Sequence, residues 1–352
     1  MILGGGSEMR WMVAPFAVGL GVAQLLAGGI ALTPVAIASE LSDQLTINLN
    51  NGTRGTARTE ADRLIRLGNQ QQRAGFVDKA IGSWLQALEI YHDIKEVEAQ
   101  GTTYEALGKA YSQLGRFVEA EDAVRRSLAI ARDTKNFQNQ IYAANNLGTL
   151  LMQRSSASEA QKTFAEGLKI AQDINYPAGR GLSLSNLGLV AYSQGRYQDA
   201  IRYYEQAKPL REQASDPGAA NTLNNLGDAY RAIRDYRTAM VSYRQALFIS
   251  ENSLDRPSQF RALEGLTRAF YGLGQNSNAS EMLDRRLALA LEQNDSRQVI
   301  ASLKGLAQFY QAKGDLTAAD SYYQQAFAVA QGINDTQEQQ GLLTQIGTLR
   351  SR

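Results

Sequence analysis

Asn146, Asn186 and Asn225 each stand immediately before a Leu-Gly dipeptide, at a near-constant spacing. An amide side chain carries both donors and an acceptor. A column of such groups can pair with the backbone of an extended peptide whatever that peptide's side chains are. It can equally bridge neighbouring helices of the protein itself, because asparagine readily bonds nearby backbone. Both are binding chemistries, and neither makes or breaks a covalent bond.

The remaining inventory argues against catalysis. The chain has one histidine, His92, and no cysteine. That removes thiol nucleophiles, thiolate metal sites and iron–sulfur clusters. A zinc site lacks a second histidine, and no Ser-His-Asp set can be assembled. Gly4-Gly5-Gly6 is not a phosphate loop, since it lies in the N-terminal apolar region. Carboxylates are plentiful, but none recurs as a pair on one face. The expectation is a protein that is not an enzyme and needs no metal or cofactor.

The elements that position the asparagines follow from the period. Leu107-Gly108, Leu147-Gly148, Leu187-Gly188 and Leu226-Gly227 recur with a period of about 40 residues. A fixed period of this size means stacked supersecondary units, not one globular domain with a single cleft. Within Gly181–Ala207, apolar residues keep helical spacing on both sides of a break at Gly195. Each unit is therefore a helix-turn-helix hairpin.

Three columns run in register with the Leu column of Leu67, Leu107, Leu147, Leu187, Leu226, Leu266 and Leu306. The first-helix small column is Gly68, Gly108, Gly148, Gly188 and Gly227, drifting to Thr267 and Ala307. The second-helix small column is Ala80, Ala120, Ala160, Ala200, Ala239, Ala279 and Ala319. The bulky column is Trp84, Val124, Phe164, Tyr204, Tyr243, Leu283 and Tyr323.

These columns resemble the tetratricopeptide repeat consensus, hydrophobic-x-x-Leu-Gly-x-x-Tyr followed by Gly, Ala, aromatic and Ala. The resemblance covers about four-fifths of the chain. Its period exceeds the family's usual length of about 34 residues, as in the longer-repeat branch that includes kinesin light chains. The resemblance implies an all-α, right-handed superhelical solenoid. Repeat starts fall at Ala61, Gly101, Ile141, Gly181, Ala220, Phe260 and Ile300, making seven repeats over 61–339 and a capping helix over 340–352. Pro177, Pro217 and Pro257 lie three or four residues before a repeat start and mark helix starts, where proline's missing N–H has no intrahelical acceptor.

Residues 1–38 read as a secretory signal. Arg10 precedes a stretch without a charge, Trp11 to Ala38, which ends in a small-x-small site at Ala36-Ile37-Ala38. Met9 is an alternative start to Met1. A retained anchor is the other reading, because a bilayer span needs about 20 apolar residues. Residues 39–60 are polar and read as a flexible leader. Either way the repeats are expected outside the cytoplasm, in a periplasm or thylakoid lumen, with membrane contact only through an uncleaved N-terminal segment.

Charge is balanced, with 36 Lys+Arg against 35 Asp+Glu. This gives no global attraction for nucleic acid. The basic pairs Arg125-Arg126 and Arg285-Arg286 read as solvated second-helix faces.

The resemblance places first helices along a concave surface, and the asparagine column is similar to the ladder lining the groove of O-GlcNAc transferase repeats. Candidate groove residues are Asn145, Asn146, Asn186, Asn221, Asn224, Asn225, Tyr142, Asp228, Arg231 and Arg268. Arg261, Glu264 and Lys304 extend the same face. Arg66, Ala106, Gly265 and Gly305 interrupt the asparagine column. Tyr192 and Tyr271 are either groove aromatics or packing. The function expected is an exported scaffold or adaptor that holds an extended segment of a protein or peptide partner, in assembly of an envelope or photosynthetic-membrane complex. A peptide- or ligand-sensing regulator using the same groove is the alternative.

Overall fold

The computed structural model describes residues 55–214 and 216–351. The signal and most of the leader lie outside the described residues. Fifteen α-helices occupy the described chain. They pair as α1 (Thr56–Arg73) with α2 (Val77–Asp93), α3 (Val97–Gln113) with α4 (Phe117–Asp133), and α5 (Phe137–Gln153) with α6 (Ala157–Asp173). Next come α7 (Pro177–Ser193) with α8 (Tyr197–Gln213), α9 (Ala219–Ala232) with α10 (Tyr236–Asn252), and α11 (Arg256–Gly272) with α12 (Asn276–Glu292). The last hairpin is α13 (Ser296–Ala312) with α14 (Leu316–Gly332), followed by α15 (Thr336–Arg350). The fold is an all-α repeat superhelix.

The period has a simple origin. Most helices are 17 residues long. Most are joined by three-residue connections. Each three-residue connection turns through a left-handed residue at the helix C-terminus. Inside hairpins that residue is often glycine, as at Gly195 with φ 73°. There the amides of Gly195 and Arg196 return to the carbonyls of Tyr192 and Ala191, the Schellman pattern that satisfies terminal carbonyls. Between hairpins Lys95, Lys135, Asn175, Leu254, Asn294 and Asn334 take the same conformation. Helix starts at α5, α10, α11, α13, α14 and α15 are capped by Asn136, Asp235, Asp255, Asp295, Asp315 and Asp335. Each accepts the amide three residues on, one of the unpaired donors of a helix N-terminus.

Two sequence expectations shift here. The leader read over 39–60 ends earlier, because Thr56–Glu60 form the first turn of α1. Their polarity is compatible with a helix because Arg58 pairs with Glu96 of the next hairpin at 2.6 Å. Pro177 and Pro257 do sit in first turns, but Pro217 lies in the connection before α9. That helix has only 14 residues. Arg211 occupies the gap, bonding both carboxylate oxygens of Asp216 and Thr222 Oγ1 at 3.0–3.1 Å.

The three columns form the core. All seven alanines of the second-helix column are fully buried, and so are Trp84, Phe164 and Tyr204. The glycine column lies directly against the bulky one. A Cβ on Gly188 would fall 2.6 Å from the Tyr204 ring, and one on Gly148 would fall 2.5 Å from Phe164. Gly347 of α15 continues that register but has nothing within 4 Å of a built Cβ.

Two substitutions therefore have opposite signs. Gly188→Ala should destabilise by about 1–3 kcal/mol through overpacking. Gly347→Ala should stabilise by up to about 1 kcal/mol through helix propensity alone. Urea unfolding followed by circular dichroism measures both. Equal effects of the two changes would exclude the ring contact as the constraint.

Candidate functional site

First helices of successive hairpins touch each other directly, α5 with α7, α7 with α9 and α9 with α11. Helices that close up in this way lie on the inner side of a curved stack. Their exposed residues therefore form one continuous concave strip.

The asparagines sit at the floor of that strip, nearly closed to solvent. Asn145, Asn146 and Asn186 are 1–2% exposed, Asn224 is fully buried and Asn225 is 5% exposed. The amides of Asn145, Asn186, Asn224 and Asn225 connect neighbouring first helices. Asn145 Nδ2 donates to the Ile141 carbonyl and to Ser183 Oγ on α7, both at 2.8 Å. Asn186 Nδ2 donates to Asn145 Oδ1 at 2.9 Å. Asn224 Nδ2 donates to the Ser258 carbonyl of α11 at 3.1 Å. Asn225 Oδ1 accepts from Arg261 at 2.9 Å.

The half-buried residues above this floor are the ones a ligand can touch. On α5 and α7 these include the uncharged Tyr142, Met152, Leu189 and Tyr192. The Tyr142 hydroxyl meets that of Tyr176 at 2.6 Å, with the rings edge-on. Tyr192 packs on Tyr197 with centroids 5.3 Å apart. Burial, then the charge on Asp228, push the Tyr192 phenol above its ordinary range. Tyr271 lies beside Phe309, with centroids 5.8 Å apart.

On α9 and α11 the strip turns ionic. Asp228 accepts from the Tyr243 hydroxyl at 2.6 Å and pairs with Arg261 at 3.0 Å and Arg231 at 3.5 Å. Arg268 pairs with Glu264 at 2.5 Å. Asn221 Oδ1 accepts from Ser258 Oγ at 3.2 Å and from Arg261 at 3.3 Å. Burial pulls the Arg231 guanidinium down, but Tyr243 and Asp228 more than reverse this and hold it above the ordinary arginine range.

Only one member of the Arg285-Arg286 pair is solvated, contrary to the expectation for both. Arg285 is a solvated residue paired with Glu251 at 3.1 Å, but Arg286 is only 9% exposed. It occupies a helix position that faces the next hairpin, and its guanidinium donates to Ser302 Oγ and Gln298 Oε1, each at 3.0 Å. The signal was present in the sequence. Elsewhere this register position holds Ala87, Ser127, Gly167, Ala207, Ala246 and Ala326, all small.

Comparison with known families gives the repeat its identity. A tetratricopeptide repeat model matches residues 60–133, 139–213 and 180–252, and a second tetratricopeptide repeat model matches 302–336. The chain belongs to the tetratricopeptide repeat family. Among solved structures, the apo form of the quorum sensor NprR from B. thuringiensis is similar with a TM-score of 0.61. It shares 15% identity, over 78% of this chain and 77% of that one. A Rap protein complexed with competence and sporulation factor is similar at a TM-score of 0.53 and 14% identity, over 86% and 81% of the two chains. At these identities the likeness is one of fold alone. The anaphase-promoting complex subunit cut9 of Schizosaccharomyces pombe is 36% identical over 73 residues, 20% of this chain. The chain spans only 11% of that relative's length.

The amide bridge between adjacent tetratricopeptide hairpins can be weighed directly. Asn145→Ala leaves the Asn186 amide and Ser183 without their buried partner, at a cost of about 1–3 kcal/mol. A double-mutant cycle with Asn186→Ala should give a coupling of about 0.5–3 kcal/mol. Zero coupling in urea unfolding would show that the pair does not join the hairpins.

Proposed function

We propose that this protein is a non-enzymatic scaffold that holds an extended segment of a protein partner against the concave strip of its first helices. The carrying observation is the continuity of that strip from α5 to α11. A nearly closed amide floor is overlaid by half-buried aromatic, aliphatic and charged side chains. Such a surface suits an extended chain, because each hairpin offers the ligand a new set of side chains at a regular advance. Aromatic residues supply contact area at low entropic cost, and the amides and arginines supply hydrogen bonds.

The asparagines enter this reading in two ways. Asn145, Asn186, Asn224 and Asn225 set the distance between neighbouring first helices. Of these, Asn186 and Asn225 also keep an edge at the base of the strip, where a ligand backbone would lie nearest. Tyr142, Tyr192, Asn221, Asp228, Arg231 and Arg268 stand higher and make the outer contacts. The similar Rap protein complexed with a factor lends support, as a fold of this kind with a bound partner.

Delivery outside the cytoplasm is part of the proposal. Its support is the uncharged stretch Trp11–Ala38 with its small-x-small end, a segment outside the described residues.

A photo-crosslinking amino acid tests the surface. It is placed at Leu189, in the strip, or at Val241, which is exposed on α10, in the full-length chain expressed in its own cells. Protein adducts from Leu189 and none from Val241 are expected, with the adduct peptide identified by mass spectrometry. Adducts from Val241 alone would place the partner on the opposite face and overturn the proposal.

A further inference from the structure

The concave strip changes electrostatic character half-way along. Over α5 and α7 the residues above the amide floor are uncharged, Tyr142, Met152, Leu189 and Tyr192 among them. The half-buried Arg180 of α7 stands one position before its repeat start, outside the register of Tyr142, Leu189 and Tyr192. The matching residue of α5, Gln140, turns back to the Ala131 carbonyl of the preceding helix. Arg256, at the start of α11, pairs with Glu292 at 3.7 Å. Along the strip over α9 and α11, with the α12 residue packed between α11 and α13, four arginines stand against two carboxylates. These are Arg231, Arg261, Arg268 and Arg286 with Asp228 and Glu264. The carboxylates are already engaged. Asp228 is shared between Arg231, Arg261 and the Tyr243 hydroxyl. Glu264 is held by Arg268 at 2.5 Å. The neighbouring Lys304 pairs with Glu338 at 2.6 Å and adds no excess.

Arg286 is the unusual member. Nine-tenths buried, it lacks a carboxylate within ion-pair distance among the described residues. Its two terminal nitrogens bond neutral oxygens of Ser302 and Gln298. Its Nε is buried with no partner, and its guanidinium lies 5.7 Å from the centre of the Phe260 ring. Burial pulls its pKa down, Glu264 opposes this and Arg268 adds to it. A buried cation without a counter-ion is costly unless something anionic approaches it. Partial burial also weakens solvent screening, so the excess positive charge projects into the strip more strongly than solvated arginines would.

We propose that the half of the strip over α9 and α11 takes an acidic stretch of the bound segment, its carboxylates set against Arg231, Arg261 and Arg268. The half over α5 and α7 takes an uncharged stretch. This inference rests on the concave strip being the binding surface. Packed helices lie about 8–10 Å apart and an extended chain rises about 3.3 Å per residue. Each hairpin therefore spans about three ligand residues, and the charge boundary in the ligand falls after about six. Arginine suits the task because its guanidinium carries five donors, so a ligand carboxylate can replace a neutral amide partner such as Asn221 on Arg261 while Asp228 stays bound.

Two capped twelve-residue fluorescent probes test this by anisotropy on the full-length chain. Both have an alternating Ala-Thr half, followed by six glutamates in one and six glutamines in the other. The glutamate probe should bind at least tenfold tighter, with the preference shrinking as salt rises. Arg231→Gln with Arg261→Gln should abolish the preference while the glutamine probe still binds, which shows the strip still folded despite the lost bonds to Asp228, and Leu189→Glu should remove binding of both probes. The single reversal Arg261→Glu should shift preference toward a hexalysine probe. Equal binding of both probes, lost together in Leu189→Glu, overturns the acidic stretch and leaves the strip standing as the surface. A glutamate preference that survives the double glutamine variant also overturns it. Binding of neither probe overturns it alone if Leu189 still crosslinks a partner, and overturns the strip with it if Leu189 does not.

Discussion

In the first five hairpins the distance between the two helices is set by one contact, a glycine on the first helix against a ring or branched side chain on the second. The ring atoms of Trp84, Phe164, Tyr204 and Tyr243 approach to within 2.3–2.6 Å of where a Cβ would stand on Gly68, Gly148, Gly188 and Gly227. No other residue allows that approach without moving the ring. With the ring seated, the alanines of the second helix close on the far side, and Leu107, Leu147, Leu187 and Leu226 are buried in turn. The core is thus a strip repeated along the stack, without a centre, and each hairpin depends on its neighbours to cover it.

The same contact reaches the concave strip at Tyr243. Its ring lies between two glycines, Gly227 of its own hairpin and Gly265 of the next. A Cβ on either would fall 2.6 Å or 2.3 Å from it. Held in that slot, the side chain delivers its hydroxyl to Asp228 at 2.6 Å. Asp228 in turn gathers Arg231 and Arg261. The asparagine column ends at Gly265 for this reason, because the space a side chain would take there is filled by the ring. A packing constraint thereby becomes a change in the chemistry of the surface, from amide floor to ion cluster.

A second irregularity falls one hairpin earlier. The connection before α9 is longer and the helix shorter, and Arg211 fills the space beside Gly218 and Thr222. This is also where the spacing of Leu-Gly pairs shortens by one position, between Leu187 and Leu226. The uncharged and the basic halves of the strip meet across this joint, between α7 and α9.

The hairpins, their register and the core columns were legible in the chain itself. They depend on local periodicity and on residue size at positions that repeat, so a column of seven alanines can be recognised without coordinates. The concave face was legible to the same extent, because a register position implies a face. The state of each side chain on that face was not. Asn186 could equally have met a ligand or Asn145, and only the approach of α5 to α7 decides that its amide bonds Asn145. Arg286, adjacent in sequence to the solvated Arg285, looked like a surface charge; its burial follows from the hairpin that packs over it. Pairings such as Arg261 with Asp228 join positions 33 apart on different hairpins. Periodicity determines which residues share a face, whereas burial and hydrogen-bond choice depend on how two neighbouring faces meet, and that is decided only when the hairpins stack.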